Sequence, residues 1–298
     1  MTSTTRRGAR LLSRLGALLL VTAPCAAQED LYLDSRRDPA DTEGSSVELT
    51  LVELTKTTSQ QTFEDGESLE LGRERKLEAT WVRKVVEVTA GRATSVTLTF
   101  SAWTLREGKR EDTCLSGQTI AFRQTGDRFT WTAPDRVKLS SAAKGFLERR
   151  AERLSRPLVS AFLASEEKPL FAGTTWAVHA LKAARALLPP RSEPDPKRSN
   201  VVVELASLKG SPPVAKLQAQ AALQLSVLPG TTTRITEGGL WQSGLELTWQ
   251  TDRPRGDAAS KHVARFVGAG EGEQPDGRRY TTKTDVELSS TLKVEPVE

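Results

Sequence analysis

The 298-residue chain contains only two cysteines, two histidines and one methionine. Each scarcity removes a class of chemistry. Cys25 falls in the leader described below, so a chain cut after Ala27 keeps Cys114 alone, and one thiol makes no intramolecular disulfide. Packing then has to hold the core. Any Ser-His or Cys-His mechanism must use His179 or His262. No G-x-S-x-G elbow, H-E-x-x-H pair, closely spaced Cys or His, or EF-hand loop occurs. No apolar run reaches the roughly 20 residues that a membrane-spanning helix needs, so none is expected. These deficits predict a protein that is not an enzyme and holds no metal or other cofactor.

What is present begins with a leader. Arg6, Arg7, Arg10 and Arg14 stand without an acid, Leu15 to Ala23 form a short apolar run, and Ala26 and Ala27 are small. That is the three-part pattern of a secretory signal peptide over residues 1–27. A lipid anchor on Cys25 would call for Leu three residues before it and Gly or Ala immediately before it. Thr22 and Pro24 occupy those places, so soluble release is expected over anchoring. Gly8 and Ala9 follow Arg6-Arg7 where a twin-arginine signal wants a hydrophobic residue. Removing the leader's four arginines from the 42 Lys and Arg leaves 38, equal to the 38 Asp and Glu. A neutral mature chain offers no general attraction for nucleic acid or an anionic surface.

Periodicity sets the organisation. Residues 28–46 are polar and acid-rich and read as a flexible tether. Residues 47–138 form a first β-rich segment. In it "VELTLVEL" alternates, and "KLEATWVRKVVEVTAGRATSVTLTFSAWTL" reads as a long hairpin with a bulge near Val85 and Val86. "GQTIAFRQTGDRFTWTA" reads as a second hairpin. Residues 139–190 are helical: Leu147, Ala151, Leu154, Leu158 and Phe162 share one face, while Glu148, Arg149, Arg150 and Glu152 face water. Pro157 should kink or split this helix. Residues 191–199 form a linker, and 200–298 a second β-rich segment with long alternating strands around Leu223, Leu245 and Leu288. "GAGEGEQPDGRR" is read as a long glycine-rich loop.

The expected fold class is therefore α+β, mainly antiparallel β, with the central helical segment packed against two β-rich segments. These are either separate modules or two halves of one curved sheet or half-barrel.

Candidate chemistry is thin. His179 lies in a helical pattern and His262 opens "HVARFV"; both read as structural or surface groups, and Cys114 as a quiet thiol. Glu271, Glu273 and Asp276 offer oxygens for calcium, yet a solvated loop explains them as well. Asp285, Glu287 and Glu246 sit opposite apolar neighbours and keep one strand face in water. Five tryptophans, Trp81, Trp103, Trp131, Trp241 and Trp249, lie in strands, where they pack a core or line a concave sheet. Trp103 falls on the face opposite Val96, Leu98 and Phe100.

Leu115 and Gly117 in "CLSGQTIAF", with Gly173, Thr174, Thr175 and Trp176 in "AGTTW", carry a resemblance to a loose class of uncharacterised secreted bacterial envelope proteins. Thr174 stands where that class usually has Asp, so no role of that acid carries over. The resemblance implies an envelope location, periplasmic or extracellular, without an activity. The resulting expectation is an exported protein with a non-enzymatic binding or scaffolding role. Its alternatives are a carrier of a hydrophobic or lipidic ligand in a cavity under the helices, and an envelope hydrolase. Partners expected are a hydrophobic ligand or another envelope protein.

Overall fold

The structure, a computed structural model, describes residues 31–297 apart from 32, 35–37, 164–168, 190–191, 193, 230, 232 and 275. The leader and Cys25 lie outside the described residues. The strands are β1 Ser46–Phe63, β2 Ser68–Thr89, β3 Arg92–Glu107, β4 Arg110–Asp112, β5 Thr119–Thr125, β6 Arg128–Thr132, β7 Thr175–Ala177, β8 Asn200–Lys209, β9 Val214–Gln224, β10 Arg234–Gln250, β11 Ala259–Glu273 and β12 Arg279–Pro296. The helices are α1 Ser141–Ser155, α2 Leu158–Phe162 and α3 Ala180–Leu187.

All these strands belong to one twelve-stranded sheet, ordered β6-β5-β3-β2-β1-β12-β11-β10-β9-β8-β7, with β4 pairing β3. This overturns the α+β expectation of two β segments around a central helical segment. The first and last strands pair antiparallel from Val47↔Pro296 through Phe63↔Tyr280, which joins the two β regions edge to edge. A hairpin with β2 satisfies only one edge of β1, and the other edge's amides and carbonyls need a partner. β12, of equal length, supplies it. Alternation reports which face a residue takes but not which strand lies beside it, so the pairing was invisible in the pattern.

The helices cover part of one sheet face. Ser140 caps α1 by accepting from the Ala143 amide at 3.0 Å, and the helical stretch divides at Pro157 between α1 and α2. Phe146 on α1 enters an aromatic cluster with Trp81 (5.9 Å between ring centroids), Phe100 (5.9 Å) and Trp103 (6.3 Å). On the other half of the sheet, α2 and α3 close a second core containing Leu205, Leu217, Trp241 and Leu247.

Two irregularities set side-chain direction. The ladder between β2 and β3 shifts around Val85 and Glu87, the bulge that the phase slip suggested. A second shift places Trp81 opposite Phe100 but Thr80 opposite Ala102, so Ser101 is an extra residue. Trp103 therefore returns to the buried face with Phe100, contrary to the face expected from simple alternation.

The glycine-rich stretch is likewise strand, not loop. β11 continues through Glu273 and β12 resumes at Arg279. The glycines admit what crosses them: a Cβ on Gly272 would fall 2.5 Å from the Tyr280 hydroxyl, and one on Gly270 would fall 2.4 Å from the Arg234 carbonyl oxygen.

The segment before β1, read as a tether, makes specific contacts from Leu33 onward. Leu33 bridges Leu170, Asp38 accepts from the Arg255 amide and pairs with Arg92, and the Asp41 amide donates to Gly91. Beside it, Arg83 of β2 meets Asp257 of the β10–β11 connection at 2.5 Å, with side chains 9% and 7% exposed. Burial pushes the Asp257 pKa up against the pull of Arg83. Breaking such a pair strands one charge in a poorly hydrated place. Asp257→Ala is expected to cost about 3–5 kcal/mol in chemical denaturation, whereas a loss below about 1 kcal/mol would show that water reaches Arg83 freely.

Candidate functional site

The sheet register defines two faces with different character. On the helix-covered face one row runs Leu105, Leu77, Glu53, Ser290, His262, Leu245, Ala219, Val203 across eight adjacent strands. The row is apolar at both ends and polar in the middle. That polar middle separates the two cores.

Helix α1 lays arginines over this seam. Arg149, Arg150 and Arg153 stand at i, i+1 and i+4, and all three are half-buried. The Arg150 guanidinium lies 4.7 Å from the Trp81 ring centroid and 4.9 Å from that of Phe146, a double cation–π contact. Arg153 donates to the Ala186 carbonyl of α3 at 2.9 Å. Burial, followed by the charges of Arg153 and Arg149, lowers the Arg150 pKa to about 9. Burial likewise lowers Arg149, against the pull of Glu53, and Arg153, against the pull of Glu152. Among the described residues, Arg150 Nε and His262 Nε2 are buried without a hydrogen-bond partner. The sequence reading sent Arg149 and Arg150 to water; instead, Arg150 is held against the aromatic core. The missed signal was three arginines along one side of a helix with a single acid, Glu152, among them.

Among the described residues, no helix lies on the opposite face. There Leu54, Ser289, Val263, Gly244, Gln220 and Val202 form a row on six adjacent strands. They line a trough of about 810 Å³, with Lys56, Arg265, Glu287 and Gln242 along its side. Five inter-strand spacings span about 24 Å, so one depression touching all six strands requires this face to be concave. Gly244 leaves the middle of the floor low, and Val263 is 49% exposed.

Of the residues singled out in the sequence, Trp81 and His262 lie at the seam and Glu287 at the trough; the others do not gather at either place. His179 is exposed as the residue preceding α3. Cys114 is half-buried; burial raises its pKa, which keeps it a thiol. Of the three acids weighed for calcium, Asp276 pairs with Arg278 at 3.0 Å, and Arg278 also reaches Glu67. Asp285 pairs with Arg265 at 2.7 Å and Glu246 with Lys216 at 3.1 Å on the uncovered face. No group of three or more His, Cys, Asp or Glu that could hold a metal occurs among the described residues. The tryptophans belong to the cores and their margins: Trp81, Trp103, Trp241 and Trp249 are buried, and Trp131 and Trp176 donate to Glu148 and to the Phe162 carbonyl. None lines the trough.

Glu53, Ser290 and His262 are neighbours on three strands, which invites comparison with a hydrolytic triad. In such a triad the imidazole stands between nucleophile and acid. Here the serine is in the middle, and His262 Nε2 has no hydrogen-bond partner among the described residues. Burial first, and then Arg153, lowers the His262 pKa to about 4 from the ordinary 6.5. The unfolded chain therefore takes up the proton first, and stability falls as pH drops from about 6.5 to about 4. The full window corresponds to about 3 kcal/mol. His262→Leu is expected to flatten that part of the stability–pH curve relative to the unchanged chain; an unaltered slope would mean that His262 is hydrated in the folded state.

Comparison with known proteins adds little. No family model matches the chain, and no curated protein matches it. Among solved structures, one of lipovitellin, described as showing lipid–protein interactions, is similar at a TM-score of 0.43 and 10% identity. The match covers 86% of this chain and 25% of that one, so this chain spans about a quarter of its length. An outer-membrane channel from Pseudomonas putida F1 is similar at a TM-score of 0.22 and 9% identity, covering 88% of this chain and 99% of that one. TM-scores below 0.5 at such identities establish neither a shared fold nor a shared activity.

Proposed function

We propose that this chain is a non-enzymatic binding protein of a bacterial envelope, and that its working surface is the trough on the uncovered sheet face. The observation that carries the reading is the trough itself. Its floor holds Leu54, Val202 and Val263, its side holds Lys56, Arg265 and Glu287, and its volume lies within the range of small-molecule sites. A long molecule with an apolar chain and a polar head matches that division. The carrier alternative moves accordingly from beneath the helices to the opposite face, because the space under the first half of α1, around Phe146, is filled by the rings of Trp81, Phe100 and Trp103. The leader residues, Arg6 to Ala27, support export.

Titration with the amphiphilic dye 1-anilinonaphthalene-8-sulfonate tests the trough. The natively folded protein should show saturable fluorescence enhancement. A Cβ on Gly244 meets only Val263 Cγ2, at 3.7 Å, so Gly244→Trp fits without backbone strain and fills the floor. It should weaken dye binding about tenfold or more while leaving the unfolding midpoint nearly unchanged. No saturable enhancement, or equal enhancement in the variant, would sink the reading.

Export is tested separately by the intact mass of the protein secreted from a bacterial host. A mature N-terminus at Gln28 is the expected result, and a diacylated Cys25 would replace soluble release with anchoring.

A further inference from the structure

We propose that the seam beneath α1 binds a phosphate-type oxyanion, held by the guanidiniums of Arg149, Arg150 and Arg153 with His262 at its edge. The site lies on the face opposite the trough and does not depend on the function assigned to it.

Charge is the first argument. Three guanidiniums stand over one carboxylate, Glu53, and among the described residues the other charges that act on them are Arg75, of the same sign, and Glu152, which acts on Arg153. Around the seam itself this leaves roughly two positive charges, which an anion carrying about −1.5 to −2, as a phosphate monoester does near pH 7, would neutralise. Like charges gathered in a partly desolvated place repel, and a bound dianion relieves that repulsion.

Hydrogen bonding is the second argument. A buried donor without a partner is uncommon and costs free energy. Arg150 Nε is such a donor, and His262 Nε2, a donor in one of the two neutral tautomers, is likewise buried without a partner; both groups feel the charge of Arg153. Each is polar, and a multi-oxygen acceptor lying between helix and sheet would serve both, with the imidazole presenting its N–H on that side.

Rigidity is the third. The Trp81 and Phe146 rings fix the Arg150 plane, and the Ala186 carbonyl anchors Arg153, so the guanidinium forks are oriented before any ligand arrives. Preorganised forks suit the paired oxygens of phosphate. All three side chains retain exposed surface, which leaves a path for entry.

Isothermal titration calorimetry of the full chain in a phosphate-free, low-salt buffer tests this, first with inorganic phosphate and then with glycerol 3-phosphate. Co-sedimentation with vesicles containing phosphatidic acid, against vesicles of phosphatidylcholine alone, forms the third arm. One-to-one binding in solution would identify a free phosphate or soluble monoester; binding confined to the phosphatidic acid vesicles would identify a headgroup. In either case the double variant Arg149→Gln/Arg153→Gln should bind about tenfold more weakly or not at all, while Arg128→Gln, on an exposed strand, and Gly244→Trp should bind as the unchanged chain does. Folding of the double variant is checked by its cooperative unfolding. If the double variant does not fold, Arg150→Gln replaces it, with the same expected loss. Absence of binding in all three arms, or binding undiminished in the folded variant, overturns the proposal.

Discussion

The pairing of β1 with β12 is the contact on which the rest of the structure depends. Its ladder runs nearly the full length of both strands and joins residues more than 200 positions apart in the chain. Without it, β1 to β6 and β7 to β12 would be two smaller sheets, each with a long unprotected edge. With it, the unpaired edges fall to β6 and β7, five and three residues long. Short edges offer little template for unwanted strand addition. The cost is kinetic: the joining ladder closes the longest loop in the chain, so such a contact forms late.

The same pairing creates the seam. Each half-sheet has its own helices and its own apolar cluster, and at the join the helix-covered face carries Glu53, Ser290 and His262 in place of Leu or Val. The two clusters therefore do not merge. Helix α1 spans the gap with arginine side chains, whose aliphatic stems cover apolar surface while their heads remain polar. The seam and the trough lie on opposite faces of the same central strands, β1, β12 and β11. One joining event thus positions both candidate sites.

Much of the local structure was legible in the sequence. The alternation of Val96, Leu98 and Phe100 marked a strand with a buried face, and the phase slip at Val85 and Val86 marked a bulge. Pro157 marked the break between α1 and α2. Legibility failed where a neighbour distant in sequence changed the local preference. The glycines from Gly268 to Gly272 signal a loop when taken alone, but they permit Tyr280 and the Arg234 backbone to pass close over a strand. Trp103 seemed to face away from the core because the extra residue at Ser101 leaves no compositional mark. Arg150 resembled a solvated helix residue because nothing in its own helix announces the Trp81 and Phe146 rings as its resting surface.

By itself, then, the sequence determined the kinds of element, their approximate limits and the face that most apolar residues take. These follow from side-chain period, proline and capping chemistry, which act within a few residues. Only the tertiary structure decided that the β regions are one sheet, that its uncovered face is hollow, and that three arginines share a seam with an unpartnered histidine. Those features arise from strand partners and helix placement. Both depend on backbone groups that every residue except proline shares, and on contacts between segments that no local pattern connects.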